Sequence, residues 1–166
     1  DTARGLISLR KSAAQPHGDG LGAQDILARA YERGHGVAKD YAKAARWYRA
    51  LAATTGGYPF PLLRLGQLYA TGGWGLKAND VTAYPWMVLV EDNACPGFAA
   101  RDDAQARRTI AALSRDMQPA QIARARREAS QWAVRHHHAT TESMARICAR
   151  GHSPRTVGQA RGKHAS

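Results

Sequence analysis

A histidine-rich segment is the first place in this 166-residue sequence where side chains could do chemistry. His136, His137 and His138 are consecutive, and Cys148 and His152 follow with the four-residue spacing of a helix. Imidazole and thiolate groups are ligands that zinc prefers. Consecutive histidines on a helix point in different directions, however, so they cannot all reach one ion. We therefore expect a polar helix end, where histidine suits the helix dipole, and no metal site.

Two pairs of adjacent acids and one glycine-rich run are the other candidates for catalysis or phosphate binding. The acids are Glu91-Asp92 and Asp102-Asp103, and neither pair has a matched base nearby in the sequence. Adjacent acids at a helix start more often serve the helix dipole. The run Gly72-Gly73-Trp74-Gly75 lacks the preceding strand and the following Lys-Ser/Thr of a phosphate-binding loop. We find no catalytic constellation, so we predict a protein that is not an enzyme and has no cofactor.

The charge of the chain is strongly basic and unevenly distributed. There are 24 Lys and Arg against 13 Asp and Glu, a formal net charge of +11. Residues 1–100 carry 11 basic and 8 acidic side chains, whereas residues 101–166 carry 13 and 5, hence +3 and +8. A basic segment attracts nucleic acid, acidic lipid or an acidic protein, and it can also be a plain solvated face. Both interpretations stay open at this point.

The composition favours an all-helical globular fold. Hydrophobic residues make up 44 % and charged residues 22 %, as in globular proteins. Alanine is frequent and is the best helix former. No apolar run approaches the roughly 18 residues that a membrane span needs. Cys95 and Cys148 are either joined in a disulfide or remain two separate thiols, and two cysteines are too few to identify the compartment.

An internal repeat organises the first half of the chain. Residues 27–34 align with residues 65–72 at an offset of 38, with Leu, Tyr and Gly in common. After one inserted residue the offset becomes 39, which places Trp47 over Trp86. The same offset extends backwards to residue 1, so the chain is expected to begin with the second helix of an incomplete repeat. A period of this length indicates stacked helical hairpins.

The first full repeat has the local signals of a helical hairpin. Its apolar positions recur at spacings of three and four residues, which predicts one buried face on each of two helices. These positions are Ile26, Leu27, Ala30, Tyr31, Ala44, Trp47, Tyr48 and Leu51. Gly34 and Gly36 end the first helix, because glycine takes the left-handed conformation at low cost. Asp40 is a good N-cap for the second helix.

The remaining chain contains a second repeat of this pattern, followed by further helices and a basic tail. In the second repeat Asn79 is the expected N-cap, and Pro85 lies inside the second helix, where proline favours a kink. Pro119 suits the first turn of a later helix. The predicted organisation is the second helix of an incomplete repeat at 1–16, repeats at 21–56 and 59–95, capping helices at 98–137 and a basic, largely disordered tail at 138–166.

The pattern Leu-x3-Tyr-x2-Gly-x-Gly-Val-x2-Asp-x2-Lys-Ala-x2-Trp-Tyr runs from Leu27 to Tyr48 and resembles the Sel-one-like repeat (SLR), a relative of the tetratricopeptide repeat. The match is close for residues 23–54, good for 62–90 and partial for 1–15. The resemblance implies an α/α superhelix, or solenoid, whose concave face binds proteins or peptides. It also favours a bacterial adaptor of the periplasm or cell envelope. The disulfide pairing of cysteine-rich family members is not carried over.

From the fold and the resemblance we predict a protein–protein interaction module that binds a peptide or a helix on its concave face. Helical arithmetic places six candidate binding residues on the solvent side of the first helices: Arg29, Glu32, Arg33, Arg64, Gln67 and Thr71. Trp74, at the inserted position, either anchors a partner or fills the core. The alternative function is binding of nucleic acid or another acidic partner by a basic C-terminal surface. That surface would contain Arg124, Arg126, Arg127 and Arg135.

Overall fold

Every regular element in the described part of the chain is an α-helix. The structure is a computed structural model, and it describes residues 2–15, 19–92 and 100–136. The helices are α1 Thr2–Ala13, α2 Asp19–Arg33, α3 Tyr41–Thr54, α4 Pro59–Thr71, α5 Asp80–Asp92, α6 Ala100–Leu113 and α7 Pro119–His136. The all-α prediction is confirmed. The predictions for Cys95, His137, His138, Cys148, His152 and the tail 138–166 lie outside the described residues.

The turns between helices use the residues that the sequence analysis selected. Gly34 ends α2 with a φ of 79°, a value that L side chains rarely adopt. Asp40 caps α3 by accepting a hydrogen bond from the backbone N–H of Lys43 at 2.8 Å. Asn79 precedes α5 and accepts from the N–H of Thr82 at 2.9 Å. These bonds satisfy donors that the first turn of a helix leaves without partners.

The first six helices pack in chain order, as expected for stacked hairpins, whereas α7 packs on α5. Helix α1 lies against α2, α2 against α3, α3 against α4, and α4 against α5, while α5 also packs against α6 and α7. Each hairpin therefore buries its apolar side on its neighbours, which is the packing of a solenoid. The division of the chain into repeats remains a prediction, but the hairpin α2–α3 and the hairpin α4–α5 follow the two sequence units closely.

Most of the predicted apolar face is buried, with two exceptions. Leu27, Tyr31 and Tyr48 are each less than 5 % exposed. Ile26 differs, with 52 % of its surface exposed, because it lies on the arc of α2 that neither α1 nor α3 covers. Trp47 is only partly buried, since it borders a cavity of about 340 Å³ next to Arg10 of α1. Helix α1 therefore covers Trp47 incompletely.

Pro85 lies within α5 and is buried there. The helix continues on both sides of it, although a proline cannot donate the backbone bond to the carbonyl four residues earlier, here Val81. Both Pro85 and Val81 line a groove between α5 and α7 that is described below.

Candidate functional site

The first helices of the two hairpins, α2 and α4, form one continuous surface. The guanidinium carbon of Arg29 lies 4.8 Å from the centre of the Phe60 ring. Arg64 forms an ion pair with Glu32. Both contacts cross from α2 to α4, so the predicted binding residues of the two helices share one surface. We call it the first-helix face, and its side chains are Ile26, Arg29, Arg33, Phe60, Arg64, Gln67 and Thr71.

Glu32 differs from the expectation that it lies on the solvent side of α2. Its residue surface is only 9 % exposed, because this position turns towards α3 and α4. A buried carboxylate needs hydrogen-bond partners. The hydroxyl of Tyr48 donates to it at 2.6 Å, and Arg64 supplies the opposite charge. Burial raises the pKa of Tyr48 to about 12, so its proton remains available for this bond at neutral pH.

Arg64 is a fixed cation at the edge of this buried network. Its side chain is 33 % exposed, and it also donates a hydrogen bond to the side-chain oxygen of Gln67. Burial, and secondarily the charge of Arg29, lowers the pKa of Arg64. An arginine starts so far above neutrality that it stays charged in proteins. Glu32 and Gln67 therefore hold a charged, partly exposed guanidinium in one position.

Ile26 is the residue of this surface that the sequence analysis assigned wrongly. It lies three residues before Arg29 and seven before Arg33, so all three share one exposed stripe of α2. Arg29 also forms an ion pair with Asp25 at 2.9 Å. An exposed isoleucine beside arginines gives the face an apolar contact point. The helical spacing between Ile26 and the two arginines was the signal that could have placed it here.

Trp74 lies apart from the first-helix face. Its side chain is 57 % exposed and its φ is 41°, a conformation that a non-glycine residue rarely takes. The ammonium of Lys39 lies 3.6 Å from the centre of its ring, and the ring of Tyr41 lies 5.1 Å away at 51°. Trp74 is therefore a surface residue held against the α2–α3 connection, and it does not fill the core.

The second helices α3, α5 and α7 line another groove, of about 530 Å³. Arg49 of α3, Trp86 of α5 and Trp132 of α7 are among its walls. Of the four arginines in the alternative prediction, Arg124 and Arg135 line this groove. We call it the second-helix groove.

The other two arginines of the alternative prediction lie elsewhere on α7. The guanidinium carbon of Arg126 lies 5.8 Å from the ring centre of Tyr84, and Arg127 is exposed. The structure therefore brings together only half of the predicted basic set in one groove.

The chemistry of these surfaces is that of recognition. They offer guanidinium groups, amides and apolar contacts. No cluster of three or more His, Cys, Asp or Glu side chains that could bind a metal occurs within residues 2–15, 19–92 and 100–136. None of the helices in these ranges is long and apolar enough to span a membrane.

Stacked helical hairpins with charged solvent-facing helices define an α/α solenoid. A solved structure has a similar fold. This chain is similar to the crystal structure of a protective antigen present in uropathogenic Escherichia coli strains, which displays an SLR fold. The TM-score is 0.63 at 22 % identity, covering 97 % of this chain and 30 % of that chain. The predicted SLR fold is thereby confirmed. No family model and no curated protein matches the chain.

Proposed function

We propose that this chain is a non-enzymatic protein-interaction module that binds an amphipathic helix or peptide of a partner protein on its first-helix face. The fold supports the proposal, because SLR and tetratricopeptide-like folds are usually scaffolds without catalytic activity. The observation that carries it is Ile26, an exposed apolar side chain on the same stripe of α2 as Arg29 and Arg33. Arginine is enriched at interface hot spots, and burial of an apolar side chain beside it adds hydrophobic free energy.

Rigidity is the first supporting argument. The buried contacts of Glu32 with Tyr48 and Arg64 join α2, α3 and α4 beneath the face. Arg64 is therefore already ordered before a ligand arrives, which reduces the entropy lost on binding. A partner carboxylate could pair with its guanidinium in bidentate fashion.

The shape of the neighbouring surface is the second argument. A groove of about 740 Å³ runs between α4 and α6, and its walls include Ala70, Ala112 and Leu113. Small side chains allow the backbone of a docked helix to approach closely. An amphipathic helix places its apolar side chains three and four residues apart, which suits a groove of this kind. Ala70 precedes Thr71 on α4, so the groove and the first-helix face share this helix.

Site-specific crosslinking tests the proposal. A photoreactive residue at Thr71 should crosslink a protein partner from a bacterial lysate, and the same residue at exposed Lys11 of α1 should not. With the purified partner, Ile26→Ala should weaken binding by about tenfold, the effect of losing one apolar anchor. Ile7→Ala is the matched control, since Ile7 is 66 % exposed on α1. Equal effects of the two alanines, or no saturable crosslink from Thr71, would contradict the proposal.

A charge-reversal pair separates this function from the alternative. Arg33→Glu and Arg127→Glu make the same charge change on exposed arginines of α2 and α7. Loss of the partner in the first variant alone supports the first-helix face. Loss in the second alone, with binding that falls steeply as salt rises, would move the function to the basic C-terminal surface.

A further inference from the structure

The second-helix groove has an apolar floor made by two tryptophans whose rings are already packed. Trp86 and Trp132 meet edge to face, with ring centroids 5.6 Å apart and an interplanar angle of 77°. Arg49 lies 5.4 Å from the ring centre of Trp86, and His136 stacks on Trp132 at 4.2 Å. Trp86 is only 7 % exposed. The rings therefore provide a firm apolar base, but their faces are largely occupied by neighbouring side chains.

Three arginines surround this base. Arg49 is anchored by donating to the hydroxyl of Tyr69 at 3.1 Å, and Nε of Arg135 donates to the carbonyl of Gln131 at 3.2 Å. Arg124 pairs with Glu128, a carboxylate in the groove lining, at 2.8 Å. The three cations against one carboxylate leave the groove with a formal charge of +2. Each guanidinium has more donors than these contacts use.

We propose that the second-helix groove binds an acidic peptide segment of a partner protein, with an apolar side chain on the tryptophan floor and carboxylates on the surrounding arginines. Charge complementarity supports this occupant, because guanidinium and carboxylate groups pair with good geometry. The chain's own residues 137–166 do not suit the groove. They carry five basic residues and one acidic residue, hence +4.

The packing of the tryptophans also favours a peptide over nucleic acid. Proteins bind single-stranded nucleic acid by stacking bases on open aromatic faces. Here Arg49 covers a face of Trp86 and His136 covers a face of Trp132. An aliphatic side chain needs only an apolar surface, so it fits this floor better than a base does.

The four tryptophans of the chain allow a direct test by NMR. Trp86 and Trp132 line the second-helix groove, whereas Trp47 and Trp74 lie elsewhere and serve as internal controls. The ¹⁵N-labelled full chain is titrated with a pool of twelve-residue peptides that contain glutamates around a central leucine, isoleucine or methionine. The indole N–H signals of Trp86 and Trp132 should shift saturably, while those of Trp47 and Trp74 stay in place. The same peptides with glutamine in place of each glutamate should cause no shift.

Two variants on α7 decide whether peptide binding depends on the groove itself or only on the net charge of the chain. Arg135→Gln should weaken binding of the best peptide by about tenfold, the effect of losing one charge-assisted hydrogen bond. Arg127→Gln changes the same charge outside the groove lining and should change affinity less than about twofold. Equal weakening by both variants would overturn the proposal.

Two further outcomes would also overturn it. One is the absence of saturable binding by any acidic peptide. The other is tighter binding of an oligothymidylate probe that also depends on Arg135. If the first-helix face proved not to bind a partner, the result for the second-helix groove would still stand, because the two tests probe different helices.

Discussion

Glu32 is a nearly buried carboxylate that joins three helices, and its removal should be costly. In Glu32→Ala the hydroxyl of Tyr48 and the half-buried guanidinium of Arg64 lose their shared acceptor. We expect the free energy of unfolding to fall by about 2–4 kcal/mol, somewhat below the loss from breaking a fully buried ion pair because Arg64 is partly exposed. Urea denaturation of the purified chain measures this change.

The matched control for Glu32 is on the same helix. Asp25→Ala also removes a carboxylate from an arginine, but the Asp25–Arg29 pair is exposed. Such pairs contribute about 0.5 kcal/mol or less. If Asp25→Ala and Glu32→Ala destabilised the chain equally, the buried network would not hold α2, α3 and α4 together as argued.

Asp40 should make the free energy of unfolding depend on pH in the acidic range. Hydrogen bonds from the side chain and the backbone of Lys43 lower the pKa of Asp40 below its ordinary value of 3.8. A lowered folded-state pKa gives stability that is present above the unfolded pKa and is lost as pH falls through the folded pKa. Asp40→Asn keeps a side-chain oxygen for the N-cap but removes the charge.

The stability difference between the native chain and Asp40→Asn should therefore be constant above about pH 5 and shrink below about pH 4. Urea denaturation at a series of pH values measures the difference. A gap that persists unchanged to the lowest pH at which the chain folds would show that the Asp40 carboxylate contributes through geometry and not through its charge.

At the residue scale the sequence predicted the centre of each buried face and missed its edges. Leu27 and Tyr31 are central and were assigned correctly. Ile26 was predicted to be buried and is exposed, whereas Glu32 was predicted to be exposed and is buried. One residue turns a helix by about 100°, so an edge position is buried or exposed according to where the neighbouring helices lie. That position is a tertiary property, and the periodicity of α2 alone does not contain it.

At the scale of elements, Gly66 allows α4 to approach α5. A Cβ at this position would lie 2.4 Å from Cε of Met87, which is fully buried. Gly66→Ala gains about 1 kcal/mol of helix propensity. It should nevertheless lower stability, because overpacking a tight core costs about 1–3 kcal/mol. Thermal and urea denaturation show whether Gly66→Ala raises or lowers the free energy of unfolding.

A double-mutant cycle isolates the contact between Gly66 and Met87. In a Met87→Ala background the obstructing side chain is absent, so Gly66→Ala should become stabilising by about 1 kcal/mol, its propensity gain. Ala28 of α2 aligns with Gly66 at the offset of 38 residues and is fully buried. If Gly66→Ala stabilised the native chain as well, Met87 would be free to move and the close approach would not require glycine.

The elements also show why some features of the fold were predictable. The caps Asp40 and Asn79 and the turn at Gly34 depend on bonds within a few residues, so the sequence predicted them correctly. The groove between α3, α5 and α7 depends on side chains far apart in the chain. Sequence analysis identified Arg124 and Arg135 as basic but could not place them beside Trp86, because that proximity arises only when the hairpins stack.

At the scale of the whole molecule, packing in chain order should give the helices unequal stability. Within the described residues α1 packs mainly against α2, whereas α5 packs against α4, α6 and α7. In a solenoid each unit is stabilised chiefly by its neighbours, so a helix with one packed neighbour opens locally while a helix with several neighbours exchanges only on wider unfolding. Amide hydrogens of α1 should therefore exchange at least about tenfold faster than those of α5, as hydrogen-exchange mass spectrometry would show.

A core variant tests whether the stacked helices unfold cooperatively or separately. Met87→Ala removes a fully buried side chain of α5 and should cost about 2–5 kcal/mol. Because α5 exchanges through the wider unfolding that this variant favours, its exchange should accelerate strongly. Exchange in α1 should change little, since it already proceeds by local opening. Equal acceleration in α1 and α5 would mean that the hairpins unfold as one unit, and the partly buried Trp47 beside α1 would then not mark a region of low local stability.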